Sequence, residues 1–446
     1  MVDWLTRVLS GVVPAAVQQG AQLGAEMALR AATLPGVMGL RWAGRALAPV
    51  RHDMPRAKRS ATLAAKVALD ELFFASEAAS AALALGRREW SRVRREVEDA
   101  HALFETRGWL ADPASYHATP PRVRDAREVD ARSGPWRFSH LSYASGWAPS
   151  PGEPGRARWL SYAPNQTAHA YLMRHSGPPR PWVVCVPGYR MGRPAVDFTG
   201  FRTSWLHKAL GVNVAVFVMP FHGPRTSGRR GGDGYLSGDF LDTIHAQAQA
   251  VWDLRRLIGR LRDEGAPAIG VHGVSLGGYT TALLAALEPG IERAVLGIPA
   301  ACFADLARAH VPPALLRAAE WLGFPIGTIE HVLRVVSPLA MPPRLAREHR
   351  YIYAGISDRL APPHHAWDLW RHWERPRVAW YQGGHVSFLM EPAVRHLLRE
   401  AFDARSMLDQ AHAARRDAAM SGRDVPPTPT PLPRPLPRPP ALAAQA

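Results

Sequence analysis

The most informative part of the sequence is the stretch Gly273-Val274-Ser275-Leu276-Gly277, together with the residues on either side of it. A short apolar run, Ala268–His272, precedes it, and Gly278 and a helical pattern that extends to Leu287 follow it. A serine hydroxyl is a poor nucleophile and must be presented to a base and to an oxyanion site at once. A sharp turn from strand to helix does this, and glycines on either side tolerate the crowding. The stretch therefore predicts a nucleophile elbow with Ser275 at its tip.

Short apolar runs separated by helical stretches surround this turn. The runs are Trp182–Val186, Val214–Met219, Ala268–His272, Ala294–Ile298, Tyr351–Ala354 and Val378–Tyr381. Such runs are typical of strands buried on both faces of a parallel sheet, and their alternation with helices indicates βαβ units. Trp136–Tyr143 and His169–His175 are predicted to form a β-meander that leads into the sheet. The predicted fold class is α/β, with a mostly parallel central sheet flanked by helices.

Two further polar residues follow predicted strands in the order that the chemistry requires. Asp358 comes shortly after the run Tyr351–Ala354, and His385 follows two glycines after the last run. Both side chains can therefore reach the edge of the sheet where Ser275 lies, and the chain order Ser, Asp, His is that of α/β-hydrolases. Asp305 is the alternative acid, since it also lies downstream of a strand. The short spacing from Asp358 to His385 suits adjacent last strands better, so we predict Asp358.

The region from about Trp136 to Arg399 resembles the α/β-hydrolase superfamily, and especially its bacterial esterase/lipase-like serine hydrolases. The elbow, the acid loop Asp358–Pro363 and the turn Gly383-Gly384-His385 carry the resemblance, which does not extend to the N-terminal helices. It implies an oxyanion hole built from the backbone N–H groups of Leu276 and Tyr189.

Two residues near the expected oxyanion hole are candidate substrate contacts. Family members commonly have His-Gly after the strand Trp182–Val186, and this chain has Pro187-Gly188. Gly188 is expected to face substrate there. His222, after the next strand, is the second candidate, and the alternative for it is a structural histidine that fixes its loop.

The chain is predicted to consist of one large domain with additions at both ends. Residues 1–115 are helical in pattern and form an N-terminal extension, which either packs on the catalytic domain or serves as a lid or membrane-contacting helix. Residues 116–420 form the α/β-hydrolase catalytic domain. Its segment at about 300–345 contains two amphipathic patterns, Leu315–Leu322 and Ile329–Val336. They predict a small apolar cap or, alternatively, helices packed on the sheet. Residues 421–446 are expected to be a disordered Pro-rich tail.

Composition limits the partners and the compartment. The formal net charge is +16, but lysine occurs only at positions 58, 66 and 208, and the arginines that make up nearly all other basic residues are spread along the chain. No nucleic-acid partner is therefore expected. The two cysteines, Cys185 and Cys302, indicate neither a disulfide framework nor a metal site, and no cofactor is implied.

The N-terminal sequence bears on localisation. No stretch is apolar enough for a transmembrane helix, and Asp3 sits where a signal peptide would be basic. A cytoplasmic protein is expected. An apolar stripe, Trp4, Leu5, Val8 and Leu9, either contacts a membrane surface peripherally or packs in the core.

The predicted function is a serine hydrolase that cleaves a carboxylic ester through an acyl-enzyme intermediate. Ser275 is the nucleophile, His385 the base and Asp358 the acid that orients the histidine. The partner is a small-molecule or lipid ester of unknown identity, and the oligomeric state is open. An amidase or peptidase on the same fold and a non-catalytic, lipid-associated scaffold are the alternatives.

Overall fold

The computed structural model describes residues 53–83, 90–310, 316–317, 320–321 and 323–420. Two predictions lie outside the described residues, the apolar stripe at Trp4–Leu9 and the tail at 421–446, and so does half of the helix expected at Leu315–Leu322.

One sheet organises the described part of the chain. Its strands are β1 (Arg127–Ser133), β2 (Trp136–Ala144), β3 (Thr167–Met173), β4 (Trp182–Val186), β5 (Asn213–Val218), β6 (Ile269–Val274), β7 (Arg293–Gly297), β8 (Arg350–Gly355) and β9 (Arg377–Tyr381). Their order is β1-β2-β3-β5-β4-β6-β7-β8-β9. The first three strands are antiparallel, β3 joins β5 antiparallel, and β4 to β9 pair in parallel.

Helices surround this sheet. They are α1 (Ala61–Leu83), α2 (Trp90–Thr106), α3 (Arg156–Ser161), α4 (Pro194–Gly200), α5 (Thr203–Leu210), α6 (Phe240–Asp263), α7 (Leu276–Leu287), α8 (Phe303–His310), α9 (Ile326–Leu333), α10 (Pro363–His372), α11 (Pro392–Phe402) and α12 (Ala404–Met420). Side chains alternate across the strands, so that Val184 of β4 belongs to the same core cluster as residues of α2, α6 and α7, while Val183 belongs to the cluster that includes residues of α5 and α11. Both faces of the sheet are therefore buried at strands β4 to β8, and the predicted α/β-hydrolase fold class is confirmed.

Most differences from the predicted elements are at their ends. The strand expected at His169–His175 is Thr167–Met173, and the helical pattern Ile329–Val336 divides into α9 and a 3₁₀ turn at Arg334–Val336. Strand β1 was not predicted at all. This edge strand is largely exposed, so its residues Arg127–Ser133 lack the apolar alternation by which strands are recognised.

The elbow between β6 and α7 is shaped by backbone approaches that exclude a side chain. A Cβ on Gly277 would lie 1.8 Å from the carbonyl oxygen of Val186, at the end of β4. A Cβ on Gly273 would lie 2.0 Å from the carbonyl oxygen of Gly277 and 2.3 Å from Oγ1 of Thr281. The helix can therefore begin directly beside the central strands only because both positions are glycine.

We predict that Gly277→Ala destabilises the protein by at least about 3 kcal/mol, since the clash is with backbone that cannot rotate away. The free energy of unfolding from urea titration measures this. Gly327→Ala in α9 is the matched control: a Cβ there meets no heavy atom within 4 Å in the described part of the chain. We expect no loss from it, and a gain of up to about 1 kcal/mol. Equal stability of the two variants would show that the elbow yields more easily than its geometry indicates.

Candidate active site

Ser275 occupies the turn between β6 and α7 in a backbone conformation that L residues rarely adopt. Its φ is 58° and its ψ is −115°. The Ser275 N–H donates to the carbonyl oxygen of Gly297 at 2.8 Å, which anchors the turn to the neighbouring strand β7. A non-glycine residue held in such a conformation costs about 1–3 kcal/mol. The surrounding strands therefore impose the turn, and they present the Ser275 side chain above the sheet edge.

Leu276 is the first residue of α7. The N–H groups in the first turn of a helix have no acceptor within the helix, and they carry the positive end of the helix dipole. The amide beside the serine is thus available to an oxygen atom that binds at the elbow. This placement fits the predicted oxyanion role of Leu276.

Asp358 and His385 lie at the ends of the two last strands and are joined by a hydrogen bond. The Nδ1 atom of His385 is 2.7 Å from Oδ2 of Asp358. The other carboxylate oxygen of Asp358 accepts the N–H groups of Leu360 and Ala361, both at 2.8 Å. Because both Asp358 oxygens are occupied and the side chain is buried, the carboxylate fixes the plane of the imidazole. Ser275 and His385 line the same cavity.

The charges around His385 favour its protonated form. Burial lowers the pKa of His385, but the charge of Asp358, the hydrogen bond to it and the charge of Asp70 together raise the pKa above the usual 6.5. An imidazole with a raised pKa is a stronger base when neutral. The site thus contains a basic histidine held by a buried carboxylate.

Asp305, the alternative acid, lies elsewhere. It is in the first turn of α8, with 43% of its side chain exposed, and its carboxylate pairs with Arg308 at 2.6 Å. The histidine is therefore brought together with Asp358, as the spacing predicted, while Asp305 takes part in a surface ion pair.

The loop after β4 passes directly over the elbow. A Cβ on Gly188 would lie 3.1 Å from the carbonyl oxygen of Val274 and 3.3 Å from Cβ of Ser275. Gly188 and Tyr189 both line the cavity that contains Ser275. The loop thus lies where a second oxyanion donor is needed, and the assignment of the Tyr189 N–H to that role stays a prediction.

His222 was expected to contact substrate, and the structure corrects this. It is fully buried and is not among the residues that line the cavity. Its Nδ1 is 2.8 Å from the Pro220 carbonyl oxygen, and the Arg190 N–H donates to its Nε2 at 3.3 Å. Burial lowers the pKa of His222 to about 4, so the ring is neutral and can both donate and accept. His222 is therefore a structural histidine, which was the alternative interpretation, and it connects its own loop to the loop after β4.

A second buried side chain holds the same loop. The Gly192 N–H donates to Oδ1 of Asp197 at 2.8 Å, and Asp197 lies on the first turn of α4. Burial raises the pKa of Asp197 to about 7. Hydrogen bonds to buried side chains thus hold the loop that carries Gly188 and Tyr189 at two later positions, Arg190 and Gly192.

The cavity in front of Ser275 is large and mostly apolar. Its volume is about 1330 Å³. Its apolar walls come from the loops above the sheet, from α1 and from the segment between β7 and β8: Phe73, Phe74, Met191, Phe221, Leu236, Phe240, Phe303, Leu306, Leu316, Ile326, Ile329 and Leu333. Helices α8 and α9 thus contribute to the wall of the cavity, and a cap formed by this segment stays a prediction.

The sequence analysis did not identify the residues that α1 contributes. Phe73 and Phe74 line the cavity, and Glu77 pairs with Arg190 at 2.7 Å. Asp70 is completely buried and reaches the loop that carries His385. The available signal was a pair of adjacent acidic residues, Asp70 and Glu71, between apolar residues of the helix, and it did not specify a partner.

The described residues contain neither a candidate metal site nor a candidate membrane-spanning helix. No group of three or more His, Cys, Asp or Glu side chains in this part of the chain is arranged to hold a metal ion. None of the helices that the structure describes is both long enough and apolar enough to cross a membrane.

Comparison with solved structures found several hydrolases. An acetyl xylan esterase from Paenibacillus sp. R4 is 15% identical with a TM-score of 0.46, over 68% of this chain and 94% of that one. An esterase of Pyrococcus furiosus is 17% identical with a TM-score of 0.37, over 64% and 95% of the two chains. These are likenesses of fold. The sheet order and the elbow described above establish the α/β-hydrolase fold independently of them.

Sequence comparison found much closer relatives. No protein-family model matches the chain. Two proteins of Mycobacterium tuberculosis, from strains CDC 1551 and H37Rv and both named only as uncharacterized proteins, are each 37% identical over 368 residues. The alignments cover 82% of this chain and 88% of each relative. The chain belongs to the family that these two mycobacterial proteins represent, and it has the α/β-hydrolase fold.

Proposed function

We propose that the protein is a serine hydrolase that cleaves carboxylic esters. One observation carries the proposal: Ser275, in a strained turn at a helix N-terminus, faces the same cavity as a buried histidine that is hydrogen-bonded to a buried carboxylate. This combination supplies a nucleophile, a base and an orienting acid at the end of an apolar cavity.

The reaction begins with acylation of the serine. As Oγ of Ser275 attacks the ester carbonyl carbon, Nε2 of His385 takes the hydroxyl proton, and the carbonyl electrons move to the oxygen. The backbone N–H groups of Leu276 and Tyr189 stabilise this oxyanion. When the tetrahedral intermediate collapses, the bond to the alkoxide breaks and His385 returns the proton to the leaving alcohol.

Water completes the cycle at the same site. His385, now neutral again, takes a proton from water as its oxygen attacks the acyl carbon of the acyl-enzyme. Collapse of the second intermediate releases the carboxylic acid, and Ser275 recovers its proton from His385. Asp358 stays ionised throughout, since its role is to hold the Nδ1–H tautomer and to stabilise the imidazolium.

The cavity favours esters with a long apolar acyl or alcohol group. Pockets for drug-sized ligands usually measure about 300–1,000 Å³, and this cavity of about 1330 Å³ exceeds them. Each methylene group that a substrate buries against its apolar walls stabilises the complex by up to about 0.8 kcal/mol. A lipid-like ester therefore fits the site better than a small, polar one.

We predict that Ser275→Ala lowers kcat for p-nitrophenyl esters at least about 10³-fold, because loss of a triad nucleophile removes the covalent route. It should also abolish labelling by a fluorophosphonate. Far-UV circular dichroism checks that the variant is folded. Residual activity within tenfold of the wild type would contradict the assignment of Ser275.

We predict that Asp358→Asn lowers kcat at least about 10³-fold, since an amide cannot stabilise the imidazolium and favours the wrong tautomer. Asp305→Asn is the matched control. It should leave kcat within about twofold of the wild type, because Asp305 lies in a partly exposed ion pair. If the Asp305 variant were the more damaged of the two, the choice of acid would be wrong.

The pH dependence follows from the direction of the histidine shift. His385 acts as a base only when neutral, so activity is lost as the pH falls through its pKa, which is raised above 6.5. We expect the acidic limb of the profile of kcat/KM against pH to have its midpoint above 6.5. A midpoint below this value, in the free enzyme, would show that another group controls the limb.

Acyl-chain length tests the substrate class. We expect kcat/KM for p-nitrophenyl octanoate to exceed that for the acetate by at least about tenfold, because the longer chain buries additional methylene groups. Leu306→Asn, which places an amide in the cavity wall, should lower the ratio of the two kcat/KM values. A preference for the acetate in the wild type would exclude a long-chain ester as the substrate.

A further inference from the structure

Asp70 of α1 binds the two loops that carry the proposed acid and base. Its Oδ2 atom accepts the His385 N–H at 2.7 Å and the Arg359 N–H at 2.9 Å. Its Oδ1 atom accepts the Val386 N–H at 2.9 Å. One carboxylate thus connects the residue after Asp358 with the backbone of His385 itself. It is fully buried, so water does not compete for these bonds.

The space for this carboxylate is built into the loop. A Cβ on Gly384 would lie 2.4 Å from Oδ2 of Asp70 and 2.8 Å from its Cγ. The residue next to the proposed base is therefore one without a side chain, and the Asp70 carboxylate takes the place that a side chain would fill.

The helix that carries Asp70 also contacts the cap. The ring of Phe74, one helical turn further along α1, stacks on His310 at the end of α8, with ring centroids 5.2 Å apart. His310 Nε2 is 2.7 Å from the carbonyl oxygen of Leu360, which belongs to the acid loop. Helix α1 thus contacts the loop that carries His385, the acid loop and helix α8, although it precedes all three by more than 200 residues in the chain.

We propose that Asp70 is a positioning residue of this site, which fixes the His385 backbone against the acid loop and adds a second negative charge beside the imidazole. The inference rests on the proposed function of Ser275, Asp358 and His385. It assigns helix α1 a part in catalysis, since Asp70 adds three hydrogen bonds to the other direct links between the two loops. Those links are the Asp358–His385 hydrogen bond and the hydrogen bond from the Ser357 N–H to the Gly383 carbonyl oxygen at 3.0 Å.

The second role is electrostatic. The charge of Asp70 adds to that of Asp358 in raising the pKa of His385. Burial, and then the nearby charge of Asp358, raise the pKa of Asp70 itself. The surrounding elements carry further titratable or charged groups: Tyr381, the ion pair Lys66–Glu391, and the histidines His310 and His365. The Tyr381 hydroxyl donates to the Gly384 carbonyl oxygen. Burial raises the pKa of Tyr381 well above its usual value, so its hydroxyl stays neutral.

Asp70→Asn tests both roles. An asparagine offers one acceptor oxygen, and its amide N–H groups would oppose one of the backbone donors. We expect kcat for p-nitrophenyl octanoate to fall about tenfold or more with KM changed less than about threefold, because the base is misplaced while the binding cavity is kept. The acidic limb of kcat/KM should move to lower pH, since the neutral amide no longer stabilises the imidazolium.

Lys66→Met is the matched control on the same helix. Lys66 pairs with Glu391 and donates to the carbonyl oxygen of Gln382 at 3.1 Å. Its loss weakens the docking of α1 without removing an acceptor from the His385 loop, so kcat and the acidic limb should stay at wild-type values. An equal effect of Lys66→Met would overturn the proposal, because docking of the helix would then account for both results.

Two further measurements separate this inference from the proposed function. NMR titration of His385, assigned with His385→Gln, needs no substrate and should show a lower pKa in Asp70→Asn by about half a unit or more. If Ser275→Ala abolishes activity but a folded Asp70→Asn retains the wild-type kcat and His385 pKa, the Asp70 proposal alone is wrong. If Ser275→Ala stays active while the His385 pKa falls in Asp70→Asn, the proposed function is wrong and the effect of Asp70 on the imidazole stands.

Gly384→Ala tests the positioning role with Asp70 itself unchanged. Its Cβ would displace the Asp70 carboxylate without removing its charge from the protein. If Asp70→Asn does not fold, a lowered kcat in Gly384→Ala supports the positioning role, and a wild-type kcat overturns it.

Discussion

The approach of the Gly277 backbone to the end of β4 is the constraint on which the site depends. The carbonyl oxygen of Val186 leaves no room for a Cβ at this position. Because Gly277 has none, α7 can begin directly above the central strands. This places the first amide of the helix, the Ser275 side chain and the loop after β4 within one small region. The strain at Ser275 persists because parallel pairing of β6 with β4 and β7 fixes the strand on both sides.

Much of this arrangement could be predicted because it depends on local sequence. Each proposed catalytic residue lies within a few positions of the end of a parallel strand, and the carboxyl ends of parallel strands share one edge of the sheet. The apolar runs and the glycines around Ser275 and His385 thus indicated both the parallel strands and the edge at which the proposed triad lies. Edge strand β1 was missed because it lies in solvent and carries no apolar pattern.

The residues that escaped prediction act through contacts between distant parts of the chain. Asp70 binds the backbone of His385 across 315 positions, and the sequence shows only an acidic residue beside Glu71 in a helix that carries other charges. His222 presents the opposite difficulty. A histidine after a strand near the active site is as compatible with a substrate contact as with a loop anchor. Only the hydrogen bonds of His222 to the backbone of Pro220 and Arg190 distinguish the loop anchor from the substrate contact. Local patterns identify the chemistry of a side chain, while its partner is decided by packing.

The two carboxylates beside His385 create opposing effects on catalysis. Both Asp358 and Asp70 raise the pKa of the imidazole, so in the proposed mechanism they strengthen it as a base and stabilise the imidazolium that forms while Ser275 is acylated. The same charges increase the fraction of enzyme that is already protonated, and inactive, at a given pH. Because Asp358 binds the ring and Asp70 binds the backbone, the protein can hold the imidazole from two sides with only one carboxylate in contact with it. Burial opposes both charges by lowering the pKa of His385. The raised but moderated basicity of His385 is therefore a balance between desolvation and two acids, one of which is supplied by a helix outside the strand–helix repeat.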